Sequence, residues 1–132
     1  MPKSTVVPQP AALAVGLLED AGRALFLVRR NLLGVESVEL PCALVLSGEN
    51  PVAALANAFR QQTGIDGQVH EILFERRHNA GTRKRKHYIP VLVFKITAKS
   101  ASAKPGSGFA GCKWISSNDI GKFRLARMCQ WL

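Results

Sequence analysis

The sequence predicts an α/β fold, an α/β/α sandwich in which a mixed β-sheet lies between helices. Short apolar runs of strand length, separated by turn signals, stand on both sides of a single helix-favouring stretch at 51–63. The 132 residues are enough for one domain around one core. Hydrophobic residues make up 47% and charged residues 20%, the balance of a globular chain and not of a disordered one. The domain is expected over residues 11–132, with 1–10 as a flexible leading segment.

Taken in order, AALAVGLLE at 11–19 and ALFLVR at 24–29 are apolar runs separated by DAGR. Asp20 and Gly22 suit a tight turn, so the two runs are expected to form a hairpin. A weaker extended piece over 38–40 closes at Pro41, which has no N–H to give to a ladder. From 51 to 63 alanine is abundant and glycine absent, Asn50 can cap, Pro51 fits the first helical position and Gly64 stops the helix. Leu55 and Phe59, four apart, share the face expected to pack on the sheet. Strands are expected at 69–76 and 87–97, joined by the polar HNAGTRKRK, with Pro90 marking the second as an edge strand or a bulged one. AKSASAKPGSG at 98–108 reads as a mobile loop and GCKWIS as a last strand. Ser117, Asn118 and Asp119 can cap a C-terminal helix or turn running towards Trp131 and Leu132.

Several flanking patterns recur around the helix: ELP before the loop, GENP into the helix, QQTGI out of it and KWIS later. In these the chain resembles the Nudix (MutT-like) hydrolases, with the family's box at residues 43–65. Glu49, Gly64 and Ile65 match the box, and Phe59 stands in for its aliphatic. The box's opening glycine is Ala43, its arginine is Asn57, and its three helix glutamates are Ala58, Gln61 and Gln62. The resemblance implies a nucleoside-diphosphate-linked substrate and magnesium or manganese bound by those glutamates. Positions 58, 61 and 62 fall on one side of one helix, so their side chains converge. Hard divalent cations prefer anionic oxygens, and a carboxylate base adds about 10² to 10⁴ in rate. An amide oxygen on Gln61 or Gln62 carries no charge and is no base, and Ala58 offers nothing.

The leading expectation is therefore a degenerate domain that binds a phosphate-containing small molecule, with no cofactor and no standard metal-dependent hydrolysis. Glu49 is the remaining catalytic candidate, although the box arginine it would pair with is Asn57; its plainer role is an acid at the helix start, favouring the helix dipole. The alternative is an active hydrolase of nucleotides or polyphosphates with a relocated carboxylate set, Glu39, Glu49 and Glu75, holding magnesium or manganese.

A net charge of +9 attracts phosphates and other anions. Arg76, Arg77, Arg83, Lys84, Arg85 and Lys86 crowd into ERRHNAGTRKRKHY and are the phosphate-binding candidates. A nucleic-acid-binding module is the third reading, for which Tyr88 is the one aromatic beside the cations. His78 and His87 read as exposed loop histidines, and Trp114 and Trp131 as packing residues. Cys42, Cys112 and Cys129 form no CxxC pair and read as buried apolar fillers. No apolar run is long enough to cross a bilayer and no secretory pattern opens the chain, so no membrane partner and a cytoplasmic location are expected.

Overall fold

The computed structural model describes residues 9–132. Residues 1–8 of the expected flexible segment lie outside the described residues, and Pro10 already opens the first strand. In chain order the elements are β1 (Pro10–Asp20), β2 (Arg23–Arg30), β3 (Glu36–Glu39), β4 (Cys42–Leu46), α1 (Pro51–Thr63), β5 (Gln68–Asn79), β6 (Tyr88–Thr97) and β7 (Gly111–Ser116). Two 3₁₀ turns, Ile120–Lys122 and Arg127–Cys129, follow.

The β1–β2 hairpin turns at Ala21 and Gly22, with φ of 53° and 75°. Two successive positive φ values give the turn whose twist matches the strands it joins, and glycine tolerates that region without strain. The hairpin pairs only at its tip, Glu19 with Ala24 and Asp20 with Arg23. Beyond the tip β1 forks away from β2, and β4 takes its freed edge from Pro10 to Val15. β4 has no counterpart among the expected elements: it is short, and it exists because the edge of β1 is open to it.

On its other side β1 runs parallel to β6, from Leu13 opposite Val91 to Leu18 opposite Ile96, which makes the sheet mixed. The path across it is β3, β2, β1, β6, β5, with β7 on β2. β6 is therefore an interior strand and not the edge strand that Pro90 suggested. Its ladder to β1 begins at Val91, so the missing proline donor falls just outside that ladder. The irregularities lie instead around Ile72 of β5.

Alternation along β1 divides the core. Leu13 and Val15 join Phe26, Val28, Val91, Val93 and Ile115 on one face, where Ile120, Phe123, Met128 and Trp131 of the C-terminal segment pack. Ala12, Ala14 and Leu18 join Phe94 and Ile96 on the other, against Leu55 and Phe59 of α1. The helical layer on the C-terminal side is thus a pair of 3₁₀ turns. Phe59 lies so close to the sheet that a Cβ on Gly16 would stand 2.9 Å from its ring.

The segment 98–108, expected to be mobile, is tied to the end of α1. Lys104 N–H donates to Thr63 O at 2.7 Å and Gly106 N–H to Gln62 O at 2.9 Å. These bonds satisfy carbonyls that a helix end leaves without partners.

Candidate functional site

The ends of α1 fix its position. Asn50 Oδ1 accepts from the Val52 and Ala53 N–H groups at 2.9 and 3.4 Å, and Pro51 fills the first turn. Gly64 turns left-handed at φ 71°, and its N–H returns to Arg60 O at 2.9 Å. Between these caps Ala58 is half-buried and Gln61 exposed. Gln62 reaches across to β4, where Oε1 accepts the Cys42 N–H at 3.1 Å and Nε2 donates to the Cys42 carbonyl at 2.9 Å. A peptide N–H only donates and a carbonyl only accepts, so this clasp needs an amide.

A second concentration of polar groups lies at the β5–β6 hairpin, whose loop is held by two short side chains. Asn79 Oδ1 accepts from the Gly81 and His87 N–H groups at 3.0 and 2.9 Å. Thr82 N–H donates to Arg85 O, and Arg85 N–H to Thr82 Oγ1, each at 2.9 Å. Gly81 is required there, since a Cβ would stand 2.1 Å from Arg85 O. The C-terminal segment docks on this loop through Arg127 Nη2, which donates to Gly81 O at 2.6 Å.

A cleft of about 520 Å³ opens between the hairpin and the C-terminal turn. Arg77, Arg83, Lys86 and Arg127 line it together with Tyr88 and Trp131, and no Asp or Glu does. His78, expected in an exposed loop, is a β5 residue only 5% exposed, whereas His87 is exposed. Burial, and then the Arg127 charge, hold the His78 imidazole below its ordinary pKa, so it is neutral at pH 7. No residue of α1 lines the cleft.

Of the expected phosphate-binding residues the cleft gathers Arg77, Arg83 and Lys86. Arg76 turns away, stacked 4.7 Å over the Phe74 ring and donating to Glu75 O at 2.9 Å. Lys84 and Arg85 are exposed but do not line it. Sequence reasoning missed Arg127, Gln130 and the position of Trp131; the lone signal was the charge of Arg124 and Arg127 among the apolar residues near the end of the chain.

The NUDIX-domain family model matches residues 7–132. The chain belongs to the Nudix family. No curated protein matches it in sequence. Among solved structures it is similar to the MutT protein from Methanosarcina mazei, with TM-score 0.70 and 19% identity over 92% of this chain and 88% of that one. It is also similar to the Escherichia coli ORF135 protein, with TM-score 0.70 and 17% identity over 87% of this chain and 79% of that one. An ADP-ribose pyrophosphatase from Streptococcus suis matches with TM-score 0.65 and 11% identity, over 92% and 84% of the two chains. At such identities the likeness is one of fold.

The Nudix box of this chain does not fit a divalent cation. Its helix presents no carboxylate at 58, 61 or 62, and the amide of Gln62 is engaged by Cys42. The relocated set is not gathered either. Glu39 is buried in an ion pair with Arg29, whose guanidinium also stacks 4.6 Å from the Phe109 ring. Glu49 closes its own turn, accepting the Leu46 N–H at 2.8 Å while its own N–H donates to Leu46 O at 3.0 Å. Glu75 is an exposed β5 residue paired in register with Leu92. Among the described residues no group of three or more His, Cys, Asp or Glu side chains is placed to hold a metal ion.

Proposed function

We propose that this Nudix domain binds a phosphate-rich ligand in the basic cleft and does not carry out the metal-dependent hydrolysis its box would otherwise serve. The Gln62 clasp carries the proposal: the box position that would ligate a metal is spent on holding the β4 backbone, in a geometry an ionised carboxylate cannot make. The cleft supplies the binding half, with four cations and no acid around it. Two structural neighbours are a UDP-X diphosphatase and an ADP-ribose pyrophosphatase, which supports diphosphate-containing compounds as the ligand class. The alternative, hydrolysis through Glu39, Glu49 and Glu75, is disfavoured by the engagement of Glu39 with Arg29 and of Glu49 with its own turn. A cytoplasmic location belongs to the same proposal, since all three cysteines are free thiols, which suits a reducing compartment.

The test is incubation of the purified protein with nucleotides, dinucleotides and sugar nucleotides in magnesium or manganese, beside a binding assay with the same compounds. Binding without product is the expected result. Turnover that Glu49→Gln abolishes would restore the hydrolase reading.

A further inference from the structure

We infer that the cleft also binds single-stranded nucleic acid, held through its phosphates and by a base stacked on Tyr88; this rests on the phosphate-binding reading above and adds a polymeric ligand to the small diphosphate compounds. Phosphate alone requires cations, and the cleft has them in Arg77, Arg83, Lys86 and Arg127. Aromatic faces add something phosphate has no use for. Tyr88 follows directly on the cationic loop and is 51% exposed, so its ring is free to meet a ligand. Trp131, brought in from the far end of the chain, lines the same cleft with its Nε1 already bonded to Met128 O at 2.7 Å. A positively charged groove beside stacking platforms is the arrangement that captures single strands with little sequence preference.

The backbone that carries the loop cations is also preorganised. Asn79 and Thr82 hold the loop backbone, and Arg127 is anchored to Gly81, so ordering costs at binding are reduced. Lys84 and Arg85, exposed in the same loop, add to the positive charge beside the cleft. Duplex is a poorer match, because its bases are stacked on one another and leave Tyr88 without a partner.

The experiment uses the full chain and two probes, a fluorescent twelve-nucleotide oligothymidylate and inorganic tripolyphosphate. Oligothymidylate should bind with a slope set by about four phosphates, losing roughly 50-fold in affinity between 50 and 200 mM salt. Tyr88→Ala should weaken it by about 5- to 150-fold, well beyond its effect on tripolyphosphate, while Tyr88→Phe keeps the ring and the affinity. Arg83→Gln with Lys86→Gln should weaken both probes. If tripolyphosphate binds and oligothymidylate binds no better, or if Tyr88→Ala weakens the two alike, the nucleic-acid inference falls and the phosphate reading stands. If neither probe binds, both fall.

Discussion

At position 62 a glutamine and a glutamate differ by an NH2 group and a negative charge, and that NH2 holds the Cys42 carbonyl. Gln62→Glu removes it and sets a carboxylate against a carbonyl oxygen. Urea unfolding should show a loss of roughly 1–3 kcal/mol, with Gln62→Ala no worse than Gln62→Glu. Buried thiols make a second residue-level case. Burial, reinforced by the neighbouring Glu39 carboxylate, pushes the Cys42 thiol up to about 12, and burial raises Cys129 to about 11. Both are neutral when folded, whereas an unfolded thiol ionises near 9.0. The folded chain therefore holds more protons above that value. Stability is intact below pH 9 and falls as pH rises towards 11 and 12, which thermal melts across that window will register. Iodoacetamide at pH 8 should leave Cys42 and Cys129 unlabelled until the protein is unfolded.

At the scale of elements, α1 is held by its underside and by its last turn. Phe59 is fully buried against Gly16, Gly67 and Ile96, so Phe59→Ala should cost about 3–5 kcal/mol in unfolding free energy. Gly106 lies against the end of the helix, where a Cβ would stand 2.1 Å from Gln61 O. Gly106→Ala should therefore release the 98–108 segment, read as faster hydrogen exchange at Lys104 and Gly106 with the rest of the sheet unchanged. Composition suggested a free loop because small residues and proline bury little apolar surface; Ala98 and Ala103 add a small packing contribution against the α1 side of the core. Backbone N–H groups tie it down instead, and composition does not report them. Pro90 misleads for a related reason: proline forbids a donor at one position, and the sheet simply starts the β1 ladder one residue later.

For the whole molecule the determining quantity is where charge is placed, not how much there is. Magnesium or manganese titrated calorimetrically in the presence of a diphosphate should give no heat beyond that of the metal titrated into the diphosphate alone, while millimolar or tighter uptake mapped to α1 would contradict the proposed function. The sequence by itself determined the helix and its caps, the hairpin turn, the fold class and the loss of carboxylates at 58, 61 and 62. Each of these is local, a matter of spacing along a few residues. Only the tertiary structure decided which cations share a cleft, because Arg77 and Arg127 meet through a sheet register and a docked tail. It alone revealed that Gln62 clasps β4, that Glu39, Glu49 and Glu75 are held apart, and that Trp131 stands beside Tyr88. Contacts between residues distant along the chain are set by packing of whole elements, and no short window of sequence carries that information.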